Sequence, residues 1–200
     1  MLKKHIILDF DGVILKSDLL YSEISKKIFK TDNSLKDFSD IISSGGQKLF
    51  NRIAGRKASS DDIKKFRQSQ IDLFEPQRHL FDSVLECIEK LSTANKLSIL
   101  SNKPKMIILN MLIKAKIDFF FDNIIGIDSG FKKKPSPEGL IYLKNLYKDY
   151  EPVFIGDALS DYQTAKESFV DFIYCAYGYG DIKLTSLNKI NQFNDLLIRN

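Results

Sequence analysis

The chain is poor in the residues that build disulfide frameworks and membrane spans. It has only two cysteines in 200 residues, and Cys87 and Cys175 lie far apart in apolar segments, which favours buried reduced thiols over a disulfide or a thiolate metal site. No apolar run is long enough to cross a bilayer. Because Asp9 and Asp11 interrupt the apolar stretch behind the basic N-terminus, a secretory signal is not expected. We therefore predict a soluble, cytoplasmic protein without a membrane partner.

Neither positive nor negative charge is in large excess. The formal net charge is +4, and the lysines are scattered apart from one run, Lys132, Lys133 and Lys134. A nucleic-acid-binding surface would need a dense basic stripe, so no nucleic-acid partner is predicted. The chain does have apolar mass, because 44% of its residues are hydrophobic and these include 15 phenylalanines and 8 tyrosines. This is ample for a packed core and argues against disorder.

Short apolar runs alternate with helical patterns along most of the chain. Such runs fit strands buried on both faces of a parallel sheet, and they lie at 6–8, 97–100, 124–125, 153–155 and 172–175. Between them, helical spacing predicts two amphipathic helices, one with the apolar face Val84, Leu85, Ile88 and Leu91 and one with the apolar face Met106, Leu109 and Ile113. Pro104 and Ser136-Pro137-Glu138 mark helix starts. The alternation predicts an α/β fold with a doubly wound parallel sheet.

Residues 16–79 break this alternation, because they carry helical patterns and no convincing strand. One apolar face is formed by Leu19, Leu20, Ile24 and Ile28. Two or three further helices are predicted from the spacing of Leu49, Ile53, Ile63, Phe66, Ile71 and Phe74. We interpret 16–79 as a small all-helical domain inserted after the first strand. The predicted α/β core domain then comprises residues 1–15 and 80–200.

Acidic, hydroxyl and amide side chains follow three of the predicted strands. They are Asp9, Asp11, Ser101, Asn102, Asp157 and Asp161. Each alone is a common turn or cap residue, but ligands of open α/β sheets gather beyond the carboxyl ends of the strands. Converging carboxylates repel one another, and a hard divalent cation with oxygen ligands, Mg²⁺, relieves that repulsion. The pattern predicts a magnesium site that carries out phosphoryl transfer.

Four motifs in order carry these residues. They are Asp9-Phe10-Asp11-Gly12-Val13, the segment 97–104, Lys134-Pro135-Ser136-Pro137-Glu138, and Phe154-Ile155-Gly156-Asp157 with Asp161 four residues on. Together they resemble the haloacid dehalogenase superfamily of phosphohydrolases, in particular its phosphoglycolate phosphatase-like branch. Tyr177-Gly178-Tyr179-Gly180 is similar to a segment that is common near the end of the sequences of that branch. The resemblance covers 1–15 and about 80–180. It implies a Rossmann-like core with a helical cap at 16–79.

The resemblance also implies a phosphatase that acts on a small phosphorylated metabolite. Asp9 attacks phosphorus and becomes an aspartyl phosphate, while Asp11 protonates the leaving oxygen and later activates water. Ser101 hydrogen-bonds the phosphoryl group, and Lys134 neutralises its charge. The acid at Asp11 favours a phosphate ester over a halide, whose departure needs no proton. The implied Mg²⁺ ligands are the side chains of Asp9 and Asp157 and the backbone carbonyl of Asp11, with Asp161 orienting the site or the metal-bound waters.

Two departures from the pattern of this branch leave the identity of the substrate undetermined. Lys16 stands where an acidic residue is usual, and Ala158 replaces a hydroxyl residue. In the basic run, Lys134 is chosen over its two lysine neighbours because it directly precedes Pro-x-Pro. The candidate substrate-binding residues are Gly12, Asn102 and Arg52. In the helical segment, 43–46 is a candidate substrate loop. Lys48 and Arg52, at i,i+4 spacing, are candidates to meet an anionic substrate, and a solvated helix face is the alternative.

Other interpretations are a phosphomutase working through the same intermediate, and a non-catalytic binding protein that retains the fold. The second is disfavoured because the fold alone needs none of the residue types at Asp9, Asp11 and Lys134. His5 and His79 are predicted to be structural or exposed, since neither follows a strand together with the aspartates.

Overall fold

A six-stranded parallel sheet forms the centre of the molecule. The computed structural model describes residues 3–42, 46–183 and 187–198, except for the side chains of 37, 39 and 40. The strands are β1 (Lys4–Leu8), β2 (Lys96–Leu100), β3 (Asn123–Ile125), β4 (Glu151–Gly156), β5 (Asp171–Cys175) and β6 (Lys189–Ile190), in the spatial order β3-β2-β1-β4-β5-β6. All neighbours are parallel. The predicted doubly wound sheet is confirmed, and only the two-residue β6 has no counterpart among the predicted strands.

Side chains of the central strands alternate between two apolar clusters, one on each face of the sheet. Ile6 and Leu8 of β1 belong to the larger cluster, whereas Ile7 belongs to the smaller one with Phe154 of β4. All four side chains are essentially inaccessible to solvent. Burial on both faces explains why these strands are continuously apolar in sequence rather than alternating with polar residues.

Helices account for the described part of 16–79, as predicted, and no strand occurs there. They are α1 (Ser17–Ile24), which continues into a π-helical turn (Ser25–Phe29), α2 (Leu35–Ile42), α3 (Gly46–Ala54), α4 (Ser60–Leu73) and α5 (Pro76–His79). Four helices follow the first one, more than the two or three predicted. Their buried residues, including Leu20, Ile53 and Phe66, join the larger apolar cluster of the sheet.

The helical segment leaves and rejoins the core at one place. Leu15 and Leu80 form an isolated antiparallel bridge. On either side of it, Lys16 N donates to His79 O at 2.7 Å, and Phe81 N donates to Ile14 O at 3.0 Å. The predicted domain boundaries at 15/16 and 79/80 coincide with this bridge, and the division into two domains remains a prediction.

Four further helices flank the sheet, and one of them buries a different face from the predicted one. They are α6 (Val84–Ser92), α7 (Lys105–Ala115), α8 (Glu138–Leu146) and α9 (Leu159–Ser168). In α6 the predicted face is buried through Val84, Ile88 and Leu91. The prediction of the buried face of α7 is wrong, because Met106 and Ile113 are 59% and 51% exposed. The buried residues are instead Ile107, Ile108, Met111 and Leu112.

The histidines and cysteines lie inside the fold. His5 Nε2 lies 2.7 Å from Ser98 Oγ, and burial lowers the pKa of His5 to about 4, so the ring is neutral. His79 Nδ1 accepts a hydrogen bond from Glu75 N at 2.9 Å. Cys87 and Cys175 are buried free thiols. Among the described residues, none of the helices combines the length and the apolar character that a bilayer crossing requires.

A capping box fixes the start of α4. Asp62 N donates to Ser59 Oγ at 3.2 Å, and Ser59 N donates to Asp62 Oδ2 at 2.8 Å. Ser59→Ala removes one of these bonds and is expected to lower the free energy of unfolding by about 1 kcal/mol in urea titrations. Ser60→Ala, at the exposed next position, is the matched control and is expected to change it by less than about 0.5 kcal/mol. Equal losses in the two variants would contradict the capping role.

Candidate active site

Three aspartates meet at the carboxyl ends of β1 and β4. Asp9 directly follows β1, Asp157 directly follows β4, and Asp161 lies in the first turn of α9. Each offers one carboxylate oxygen, and these oxygens all lie within 4.8 Å of one another. All three side chains are buried. Stretches of chain that are far apart in sequence thus bring their carboxylates to one point. A shared cation site requires this convergence of Asp9 and Asp157.

One lysine lies between these carboxylates. Lys134 Nζ is 2.8 Å from Asp9 Oδ1 and 2.6 Å from Asp161 Oδ1, and its side chain is only 4% exposed. Its neighbours in sequence behave differently, because Lys132 and Lys133 are exposed and Lys132 pairs with Glu138 at 2.8 Å on the surface. Only Lys134 of this basic run reaches the aspartates, in agreement with the choice made from its position before Pro-x-Pro.

Burial and mutual repulsion disturb the protonation of the aspartates. Burial raises the pKa of Asp9 to about 6, with Asp161 and Asp11 adding to the increase and Lys134 opposing it. Burial also raises the pKa of Asp157 well above its usual value, and Asp161 and Asp9 again add to the increase. For Lys134, burial alone lowers the pKa, but the attraction of Asp161 and Asp9 outweighs it and raises the pKa overall. The ammonium group therefore stays charged.

The donor set fits a hard divalent cation. Each pair of ionised carboxylates at this separation repels by roughly 3 kcal/mol at an effective dielectric of about 20. When all three carboxyl groups are ionised, as in a metal-bound state, the single ammonium leaves two negative charges uncompensated at this end of the sheet. All of the offered atoms are oxygens, which Mg²⁺ prefers. Asp11 does not contribute a carboxylate to this cluster, which is compatible with a ligand role for its backbone carbonyl.

Two glycine segments enclose Asp157. Gly12 has a φ of +82°, and a Cβ at this position would lie 2.3 Å from Asp157 Oδ2. A Cβ at Gly178 would lie 2.3 Å from the Asp157 Cβ. The adjoining residue, Tyr179, donates its backbone N–H to Asp157 Oδ2 at 2.7 Å. Gly12 therefore permits a close approach of the backbone to the aspartate, and the Tyr-Gly-Tyr-Gly segment packs beside it against the same carboxyl group.

Asp11 lies in a separate polar network that the sequence interpretation did not identify. Ser17 Oγ donates a hydrogen bond to Asp11 Oδ1. Lys103 Nζ contacts the same oxygen at 2.9 Å and donates to Tyr21 Oη at 2.7 Å. The Lys103 side chain is only 3% exposed. Its position directly after Ser101-Asn102 placed it near the strand end, but lysines in such positions are usually solvated, so its charge pairing was not foreseen.

Ser101 and Asn102 occupy the end of β2. Ser101 is 4% exposed, and its Oγ accepts a hydrogen bond from Lys103 N at 3.3 Å. The Asn102 amide bonds the backbone of Lys134 twice, since Lys134 N donates to Oδ1 at 2.9 Å and Nδ2 donates to Lys134 O at 3.2 Å. Asn102 was predicted to bind substrate. Its amide fixes the backbone from which the Lys134 side chain extends, and because the residue also borders two cavities, its contact with substrate stays a prediction.

Two cavities meet at Asp11. The smaller one, of about 40 Å³, is bordered by Asp9, Ser101, Lys134 and Asp157. The larger one, of about 230 Å³, extends from Asp11 between the core and the helical segment, where its walls include residues of α3 and α4. Asp11, Ile42 and Asn102 border both. The site thus combines a small polar chamber at the aspartates with a roomier chamber beside it.

The predicted substrate contacts of the helical segment are only partly near these cavities. Residues 43–45 of the candidate loop lie outside the described residues, and Gly46 borders the larger cavity. Within the described part of the chain, Lys48 and Arg52 border neither cavity. They line a different, open hollow together with Asn33 and Arg56. The position of Arg52 therefore does not support the substrate contact that the i,i+4 spacing suggested, because α3 turns this face away from the aspartates.

Lys134→Met is expected to destabilise the metal-free protein. The variant leaves Asp9 and Asp161 buried without their cation, so the free energy of unfolding near neutral pH should fall by about 3–5 kcal/mol. Lys132→Met removes an exposed ion pair and should change it by less than about 1 kcal/mol. Urea unfolding in the presence of a metal chelator measures both. Similar losses in the two variants would contradict the placement of Lys134 between the aspartates.

Comparison with known proteins places this chain in a family. The family model of the haloacid dehalogenase-like hydrolases matches residues 6–175. A phosphoglycolate phosphatase from Vibrio parahaemolyticus is 26% identical over 193 residues, covering 88% of this chain and 85% of that protein. One from Pseudomonas savastanoi pv. phaseolicola is 25% identical over 199 residues, covering 89% and 71%. The crystal structure of a predicted phosphoglycolate phosphatase from Haemophilus somnus has a TM-score of 0.81 at 22% identity, covering 100% and 98%. The chain belongs to the haloacid dehalogenase-like hydrolases.

Proposed function

We propose that this protein is a magnesium-dependent phosphatase that hydrolyses a small phosphomonoester through an aspartyl phosphate formed on Asp9. The observation that carries the proposal is the position of Asp9, whose buried carboxylate borders the smaller cavity beside Lys134 and Asp157. The phosphatase names of the relatives support the same reaction class. They also make 2-phosphoglycolate the first substrate to test.

The metal site consists of the carboxylates of Asp9 and Asp157, the backbone carbonyl of Asp11, and Asp161 beside them. The two uncompensated negative charges of this cluster match the charge of Mg²⁺. Bound there, the ion supplies positive charge to the phosphate oxygens and lowers the repulsion between a phosphate dianion and the attacking carboxylate. Asp161 also accepts a hydrogen bond from Ala158 N at 3.0 Å, which fixes its orientation beside Lys134.

Asp9 is the nucleophile in this proposal. One of its oxygens forms the new bond to phosphorus while the bond between phosphorus and the ester oxygen breaks. Lys134 Nζ, 2.8 Å from Asp9 Oδ1, lies where it can neutralise charge on both the carboxylate and the incoming phosphoryl group. Ser101 borders the same cavity and donates its hydroxyl hydrogen to a phosphoryl oxygen.

Asp11 is the general acid and base. It borders both cavities, so an ester oxygen held between them lies beside its carboxyl group. The leaving oxygen takes the proton of Asp11, and the carboxylate then takes a proton from the water that attacks the phosphorus of the aspartyl phosphate. This second step releases inorganic phosphate and restores Asp9. Ser17 and Lys103 hold one oxygen of Asp11, which fixes the direction of the other.

The helices of 16–79 form the cap of the site in this proposal. They enclose the larger cavity, which lies on the leaving-group side of Asp11. A cover of this kind excludes bulk water and contacts the part of the substrate that is not phosphate. The location of the protein in the cytoplasm remains a prediction, which the two buried free thiols fit.

Asp9→Asn is expected to abolish phosphate release from p-nitrophenyl phosphate in Mg²⁺, because an amide oxygen is a poor nucleophile and a weaker metal ligand. Acid quenching during turnover of a radiolabelled phosphoester should leave label on the wild-type protein and none on the variant. Asp82→Asn makes the same chemical change at a carboxyl group that is 96% exposed and should leave turnover within about twofold of the wild-type rate.

Turnover by Asp9→Asn at the wild-type rate would show that the nucleophile is wrongly assigned. Isomerisation of a sugar phosphate by the wild-type protein without release of inorganic phosphate would instead favour the phosphomutase.

Mg²⁺ should stabilise the folded protein more above pH 6 than below it. Burial raises the pKa of Asp9 from an ordinary value of 3.8 to about 6. The unfolded chain therefore releases this proton first, and the metal-free fold loses stability as the pH rises between these two values. Above pH 6 the cation relieves that cost, whereas below it the cation must displace the proton of Asp9, in addition to any proton held by Asp157, whose pKa is also raised.

Thermal unfolding with and without Mg²⁺ on both sides of pH 6 measures this difference. Asp157→Asn is expected to shrink the Mg²⁺-dependent shift in melting temperature. An equal shift at both pH values would contradict the assignment of Asp9 as a ligand.

A further inference from the structure

The larger cavity contains a polar group that the phosphoryl chemistry does not use. Gln70 of α4 borders this cavity and is 2% exposed. Among the residues that the structure describes, its Oε1 has no hydrogen-bond partner. A buried polar atom without a partner is unfavourable, so proteins rarely retain one without a reason. Because Gln70 lines the cavity, a hydrogen-bonding group of an occupant is a candidate partner for this amide.

The chemistry of an amide favours a hydroxyl as that occupant. A carboxamide offers an oxygen that accepts and an NH₂ group that donates. A hydroxyl group both donates and accepts, so it pairs with either end of Gln70. A carboxylate only accepts, and it would leave the buried Oε1 without a partner.

Much of the wall around Gln70 is apolar, and among the described residues its interior carries no uncompensated charge. Leu49, Phe50 and Phe66 line the cavity with aliphatic and aromatic carbon. Lys103 also borders it, but its ammonium group is paired with Asp11 at 2.9 Å. The other cationic residues around the cavity, Arg67 and Lys133, are exposed, so solvent screens their charge. Such an interior accepts a neutral group more readily than an anionic one.

The cavity is also larger than a two-carbon acid needs. At about 30 Å³ for each water molecule of the liquid, about 230 Å³ holds roughly seven waters. Covalently linked atoms pack more closely than waters, so the space admits a sugar ring or a polyol chain. The carbon-bound hydrogens of such a molecule would contact the aromatic walls while its hydroxyls remain available.

We propose that the leaving group of the natural substrate is a neutral sugar or polyol, bound in the larger cavity with one hydroxyl hydrogen-bonded to Gln70. The phosphate of the same molecule lies in the smaller cavity, and the ester oxygen lies at Asp11, where the two cavities meet. This inference rests on the proposed phosphatase function and assigns Gln70 as a residue that determines substrate specificity. It sets the chain apart from relatives named for phosphoglycolate, whose leaving group carries a carboxylate.

The test compares kcat/KM for four kinds of ester in Mg²⁺: pentose and hexose phosphates, glycerol phosphate, 2-phosphoglycolate and p-nitrophenyl phosphate. The wild-type protein should favour at least one sugar or polyol phosphate over 2-phosphoglycolate by about tenfold or more. Gln70→Leu should lower the ratio of kcat/KM for that ester to kcat/KM for the aryl ester by about tenfold. The reason is that the aryl group has no hydroxyl and so makes no hydrogen bond to Gln70 that the substitution could remove.

Gln68→Leu is the matched control on the same helix. Gln68 is exposed, and its Nε2 donates to Asp72 Oδ1 at 2.9 Å, so its replacement should leave the ratio within about twofold of the wild-type value. Gln70→Met, which keeps the length of the side chain, replaces Gln70→Leu if that variant does not fold. Circular dichroism checks the fold of each protein.

Preference for 2-phosphoglycolate, or a ratio that neither Gln70 variant changes, overturns the assignment while the phosphatase function stands. Absence of Mg²⁺-dependent cleavage of every ester, the aryl ester included, overturns the phosphatase function itself, and this inference with it.

Discussion

The site depends on keeping three aspartates buried around a single lysine. Carboxylates at this separation repel one another strongly, and the fold holds them together through backbone constraints on every side. The ends of β1 and β4 set Asp9 and Asp157 next to each other because those strands are paired in register. The amide of Asn102 fixes the backbone of Lys134. The stability of the whole fold therefore offsets an arrangement that is unfavourable in isolation, and the proposed divalent cation would relieve the remaining repulsion.

A polar network around the Lys103–Asp11 charge pair connects the core to the helical segment through α1. Lys103 lies just beyond β2, whereas Tyr21 belongs to α1, and both contact Asp11 within one network. The residue proposed as acid and base is thus held from both sides of the boundary between the core and the helices. The position of α1 is consequently coupled to the orientation of the Asp11 carboxyl group, which borders both cavities.

Much of the fold and the centre of the site could be predicted from sequence, for a definable reason. Strands buried on both faces are continuously apolar, and the residues that follow them in a parallel sheet end at one edge, so Asp9 and Asp157 were expected to meet. The face of α7 was not predictable, because this helix is apolar around nearly its whole circumference and its periodicity selects no side. The burial of Lys103 and Gln70 at the cavities was not predicted, because their environment depends on contacts with helices remote in sequence.

The bridge between Leu15 and Leu80 has a consequence for how such proteins diversify. Since the polypeptide departs from the sheet and returns to it at adjacent positions, the separation of those two points does not depend on how many residues intervene. Helices can be lengthened, shortened or exchanged there without shifting the register of β1 against its neighbours. The residues at the carboxyl ends of the strands and the helices that border the larger cavity are in this sense free to change at different rates.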